Sequence, residues 1–168
     1  GIHPESASKY EQIIWSVETS GYVNLFVLLG FMIGLLIVRK YNHVKTQTVG
    51  FMLSALGILI MLFAYNYHFG AWIALGGFMM FELFLNIGPH LLTFILPPQI
   101  YEIKERSTGT GIADAFGKLG AVIGVLTVPI LLHYGGADVV LITTMIITII
   151  GGIVTYHYGR EILPWDKK

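Results

Sequence analysis

The sequence predicts an all-α protein: a polytopic bundle of about five transmembrane helices. Three observations predict it. Hydrophobic residues make up 55% of the 168-residue chain and charged residues only 12%, against roughly 25% charged in a soluble domain. The apolar residues gather into stretches of about 20, the length that crosses a hydrocarbon core about 30 Å thick. Runs such as Val139–Ile150 lack the apolar–polar alternation of a barrel strand. The 20 glycines fit the same class, because small residues let membrane helices approach closely.

The elements follow in order. Residues 1–20 carry Glu5, Lys9, Glu11 and Glu18, too many charges for a span. They read as an extracellular or interfacial segment, in which Ile13, Ile14, Trp15 and Val17 form a short helix at the membrane surface. Five spans are expected over 21–158, at Gly21–Val38, Thr46–Tyr65, Ala71–Leu96, Gly111–His133 and Val139–Tyr158, with residues 159–168 as a tail. Connections are short, so neighbouring spans should pack antiparallel. The start at Gly1 reads as a cut, and no signal peptide is visible.

Basic residues set the expected orientation. Arg39, Lys40 and Lys45 follow span one, Lys104 and Arg106 follow span three, and Arg160, Lys167 and Lys168 follow span five. The opposite side holds Lys9 alone. An outside N-terminus and a cytoplasmic C-terminus are therefore expected, in an integral protein of the cell membrane. Net charge is zero, and no basic cluster resembles a nucleic-acid footprint. Cysteine is absent, so disulfide and thiol chemistry are excluded.

Ionisable groups inside spans point to function, because burying them costs roughly 2.5–3.5 kcal/mol each on insertion scales. Span three holds Glu82, with Asn86 four residues later on the same face. Span four holds Asp114 and Lys118, in the acid-before-base spacing of a helical ion pair. One reading makes Asp114 and Lys118 a structural pair that holds the bundle. The other places Lys118 with Glu82 and Asn86 on a polar pathway facing a cavity, where Glu82 can carry a proton. Gly88-Pro89-His90 interrupts span three. Proline removes a backbone donor, so the helix should be bent or irregular there, and broken helices are where membrane transporters build sites. His90 joins the candidate pathway only through its neighbours Asn86 and Glu82.

Gly30–Gly34 and Gly120–Gly124 are G-x-x-x-G pairs, which support packing and name no ligand. Gly109-Thr110-Gly111 lacks the Gly-Lys-Ser/Thr ending of a phosphate loop. No metal motif and no nucleophile beside a base appears. No enzyme, metal or cofactor is expected.

Asn86–Gly124 reads NIGPHLLTFILPPQIYEIKERSTGTGIADAFGKLGAVIG. It resembles helices 10 and 11 of the major facilitator superfamily and the loop between them, through Pro97, Pro98, Arg106, Ser107, Thr108 and Gly109. Within the superfamily it is similar to the phosphate:proton symporters, whose pattern N-F-G-P-N-x-x-T-F is met by Asn86, Gly88, Pro89, Thr93 and Phe94. Gly117, Lys118, Gly120 and Ala121 meet that branch's G-K-x-G-A. His90 stands where the pattern has a second Asn, and Gln99 and Glu102 where the loop more often has Glu and Pro. Arg39-Lys40-Tyr41-Asn42-His43-Val44-Lys45 keeps only the basic character of the D-R-x-G-R-K loop motif.

The resemblance implies that the five spans are helices 8–12. Helix 7 and the N-terminal half would be partners outside this chain, alongside the lipid bilayer, a small solute and protons. It implies a secondary active transporter working by alternating access, moving phosphate with a proton through a pathway that includes Glu82, Asn86, His90 and Lys118. Two alternatives stand beside it: a sugar or organic-acid porter on the same scaffold, and a non-transporting membrane fragment or partner subunit.

Overall fold

The computed structural model describes residues 9–162. Among these residues every element is helical: α1 (Lys9–Val38), α2 (His43–Asn66), α3 (Ala71–Leu85), a π turn (Asn86–His90), α4 (Leu91–Ile95), α5 (Pro97–Ile100) and α6 (Arg106–Ile162). Four stretches are long and apolar enough to cross a membrane: Ser20–Val38, His43–Asn66, Ala71–Ile95 and Arg106–Gly159.

The last of these is 54 residues long, which at 1.5 Å per residue is about 80 Å. That is more than twice a hydrocarbon core of about 30 Å, so it cannot be one span. Gly136 divides it, with φ 70° and ψ −172°, a left-handed conformation that glycine adopts without a Cβ clash. The two arms, 106–135 and 137–162, cover the stretches expected as spans four and five. The loop expected near Tyr134–Asp138 is thus reduced to one residue.

Glycines set how the helices meet. A Cβ on Gly57 would lie 2.6 Å from the Phe81 backbone nitrogen, and one on Gly50 would lie 3.0 Å from the Gly88 Cα. The higher number on α2 meets the lower number on span three, so the two run antiparallel. Ser54, fully buried, ties the crossing by donating to the Phe81 carbonyl at 3.3 Å. On α1, a Cβ at Gly30 would lie 2.9 Å from the Leu83 carbonyl, and one at Gly34 would lie 2.8 Å from the Ile87 carbonyl. The numbers rise together here, so α1 and span three run parallel.

The second arm of α6 runs antiparallel to α2. Asn66 donates to Asp138 at 3.4 Å at one end, Gly151 meets Phe51 midway, and Gly159 meets Val44 at the other end. The result is a row: α1, span three, α2 and the second arm, with little contact between α1 and α2. The first arm stands off this row. It is anchored near its start, where Gly109 lies under the Tyr101 ring, but Gly111, Gly117, Gly120 and Gly124 face open space. Gly120–Gly124 therefore packs against nothing here, whereas Gly30–Gly34 sits directly on span three.

The short surface helix expected within residues 1–20 is not a separate element from residue 9 onward. Lys9–Val38 is one helix of 30 residues, about 45 Å at 1.5 Å per residue. No proline interrupts it, and its charged first turns extend beyond the apolar stretch that begins at Ser20. Residues 1–8, and 163–168 of the expected tail, lie outside the described residues. At the other end of α2, Asn42 caps the helix by accepting from the Lys45 backbone N–H at 2.9 Å.

Candidate functional site

Span three is irregular where glycine and proline predict it. Pro89 has no N–H to place in the helical ladder, and residues Asn86–His90 form a π turn with Asn86, Ile87, Gly88 and Pro89 all buried. Such turns widen a helix by one residue and recur at functional sites. Two neighbours close on it. Gly30 and Gly34 of α1 pack against Asn86, Ile87 and Leu91, and Gly50 of α2 packs against Gly88 and the Pro89 ring. Only glycine permits that approach, since each added Cβ would fall 3.1 Å or less from several of these atoms.

Three of the candidate residues form one hydrogen-bonded chain. The Asn86 Nδ2 donates to the Glu82 carbonyl at 2.7 Å and to the Glu82 carboxylate Oε2 at 3.3 Å. The carbonyl accepts only, which fixes the orientation of the Asn86 amide. Its Oδ1 therefore points to His90, whose Nδ1 lies 2.8 Å away. An amide oxygen cannot donate, so His90 Nδ1 carries the hydrogen and Nε2 remains open. Asn86 is 1% exposed, Glu82 is half-buried and His90 is exposed. The polar chain runs from a buried amide outward.

Aromatic rings hold His90 in place. Its ring lies 5.2 Å from Phe31 of α1 and 5.7 Å from Phe94 of α4, centroid to centroid. The sequence pattern includes Phe94 but gives no sign of Phe31, because that contact depends on how α1 crosses span three. Thr93 bonds back to the Pro89 carbonyl at 2.7 Å, satisfying an acceptor beside the irregular turn.

Lys118 and Asp114 are placed differently. Lys118 is exposed and Asp114 half-exposed on the first arm of α6. Neither an ion pair nor a hydrogen bond joins them, and none joins Lys118 to Glu82, Asn86 or His90. Of the polar pathway read from the sequence, Glu82, Asn86 and His90 are joined and Lys118 stands apart. The physical reason is the standing of the first arm, whose glycines on either side of Lys118 touch nothing. Nothing packs there to press the two side chains together, and an exposed pair gains too little to lock two flexible side chains. Among the described residues, no three His, Asp or Glu side chains group as a metal site.

Pro89→Ala tests the origin of the irregular turn. It restores a backbone donor and removes the ring clash, which together cost about 3 kcal/mol or more in a regular helix interior. Slower amide exchange across residues 86–91 is expected. Unchanged exchange would assign the turn to packing against Gly30 and Gly50 instead.

The Major Facilitator Superfamily sequence profile matches residues 10–168. Among individual proteins, the chain is 29% identical over 154 residues to inorganic phosphate transporter PT2 of Toxoplasma gondii, covering 91% of this chain and 27% of that protein. It is 31% identical over 106 residues to the repressible high-affinity phosphate permease of Neurospora crassa, covering 60% and 18%. It is 32% identical over 98 residues to inorganic phosphate transporter 1-1 of Arabidopsis thaliana, covering 56% and 19%. The chain spans about a quarter of the length of the first curated relatives it matches. No solved structure gives a significant match. A profile match over nearly the whole chain, apolar helices of spanning length and relatives that are phosphate transporters lead to one assignment: the chain is an integral membrane protein of the Major Facilitator Superfamily.

Proposed function

We propose that this chain forms the C-terminal part of a secondary active transporter that carries inorganic phosphate with a proton by alternating access. The observation that carries the reading is the chain Glu82–Asn86–His90 at a π turn inside an apolar span. Ionisable groups at such depth usually face a partner or a pathway, and interrupted helices are where transporters of this kind place their sites. The names of the relatives support phosphate as the solute.

In this proposal Glu82 binds the proton and Asn86 fixes the geometry between it and His90. The open Nε2 of His90 meets a phosphate oxygen, in place of the amide that the symporter pattern has there. Lys118 supplies a positive charge from the first arm once the helices that complete the pathway stand beside it. Helix 7 and the N-terminal half provide the opposite wall, and the two halves rock around the site. The basic residues after spans one, three and five support an outside N-terminus and a cytoplasmic C-terminus.

The experiment is phosphate uptake into proteoliposomes that hold this chain together with the remaining helices of its transporter. Uptake driven by an inward proton gradient is expected. Preferential uptake of a sugar or an organic acid, or no solute flux at equal protein level, would overturn the proposal.

Lys118→Ala is expected to lower uptake about tenfold with membrane insertion unchanged, because an exposed side chain carries no packing. Lys118→Arg should also impair uptake, since a planar fork does not replace a compact ammonium charge in a tight site. Equal uptake in both variants would remove Lys118 from the pathway.

A further inference from the structure

Where α1 ends and α2 begins, a groove of about 460 Å³ opens between α1, α2 and span three. Its walls are apolar, built from Ile37, Val49, Leu53, Phe84 and Ile87, and its mouth is polar, with Tyr41, Asn42 and Lys45. Arg39 and Lys40 stand exposed in the same turn. Between Ile37 and Gly50 there is no Asp or Glu, so the rim is positive without a counter-charge from its own segment. The groove is also deep in the right direction. Leu53 lies ten residues beyond His43 in α2, about 15 Å along the axis, which is the hydrocarbon depth of one leaflet.

We infer that this groove is a binding site for one anionic phospholipid, with an acyl chain against Leu53, Phe84 and Ile87 and the headgroup at Lys45, Arg39 and Lys40. The two halves of the site need different things from a ligand. The apolar walls exclude a free anion, which would lose its hydration there and gain no partner. The basic rim favours a headgroup of net negative charge over a zwitterionic one, by about fivefold for each Lys or Arg near the surface. Tyr41, 65% exposed, sits at the headgroup level, where an amphipathic ring is at home. None of Glu82, Asn86 and His90 lines the groove, although Ile87 belongs to the same π turn.

Native mass spectrometry of the full chain in mild detergent, titrated with dioleoyl phosphatidylglycerol or dioleoyl phosphatidylcholine, tests it. Phosphatidylglycerol is expected to bind at least about tenfold more tightly. Lys45→Ala should weaken it about fivefold, and Arg39→Ala/Lys40→Ala/Lys45→Ala by more than tenfold. Leu53→Trp fills the bottom of the groove and should weaken both lipids. Phe63→Trp, an exposed position nearer the other end of α2, should weaken neither. Circular dichroism confirms that each variant keeps its helices. Equal affinity for the two lipids would overturn the inference. So would a loss from Lys104→Ala/Arg106→Ala as large as that from the triple variant, which would mean diffuse surface charge. Displacement of the lipid by millimolar inorganic phosphate, with Leu53→Trp silent, would make the rim a free-anion site and would also overturn it.

Discussion

Glu82→Gln is expected to reduce proton-driven phosphate uptake by on the order of a hundredfold, about 2.7 kcal/mol of barrier. The substitution is chosen because it keeps the local structure. A glutamine Oε1 still accepts from the Asn86 Nδ2, as the carboxylate does now at 3.3 Å. The Glu82 carbonyl, which takes the shorter bond at 2.7 Å, is untouched. What is lost is the ability to gain and release a proton. The wild-type protein should therefore take up phosphate faster as the outside is made more acidic, and the variant should show a small flux that no longer responds to the gradient. Measurement is labelled-phosphate uptake at several outside pH values, with protein level and helicity checked in parallel. A variant that keeps the full gradient response would assign proton coupling to a group other than Glu82. Glu82 would then be only the anchor that holds the Asn86 amide.

Gly57→Leu should be the most damaging single substitution for folding. Its Cβ would fall 2.6 Å from the Phe81 backbone nitrogen and 2.7 Å from the Gly77 carbonyl. Both are backbone atoms, so no side chain can move aside, and α2 must separate from α3. Overpacking of this kind costs about 1–3 kcal/mol and occasionally more. Separation would also break the Ser54 bond to the Phe81 carbonyl, leaving a fully buried hydroxyl without that partner. Thermal denaturation in detergent should show a marked fall in midpoint. Gly124→Leu provides the contrast, because nothing lies within 4 Å of its Cβ position. Its midpoint should stay within the change equivalent to about 0.5 kcal/mol. Equal losses at the two positions would mean that the first arm of α6 is packed as tightly as α2.

Much of this architecture is legible in the residues themselves. Apolar length and scarce charge are local properties, so the helical spans follow from composition and patterning. The irregular turn at Gly88–Pro89 is legible because a missing backbone donor is a covalent fact. The grouping of Glu82, Asn86 and His90 follows from spacing along one helix. Lys118 was not legible in the same way, because its surroundings depend on where one helix stands relative to another. Gly120–Gly124 and Gly30–Gly34 look alike as strings, yet only the second pair touches a neighbour. Phe31 as a neighbour of His90 was equally hidden, being a contact between helices. The break at Gly136 occupies a single residue with positive φ, and a Gly-Gly pair does not reveal which member turns or how sharply.

The packing of Gly30, Gly34 and Gly50 around the π turn bears on biogenesis. A segment with Glu82, Asn86, His90 and an interrupted backbone partitions poorly into lipid by itself, since ionisable side chains and the backbone acceptor freed at Pro89 are costly in hydrocarbon. Synthesis delivers α1 and α2 first, and these are the helices whose glycines enclose the turn. Release of span three from the insertion machinery is then expected to depend on helices already waiting in the membrane. Order of synthesis becomes part of the folding code: the two preceding helices are the ones that receive the least hydrophobic of the four candidate spans.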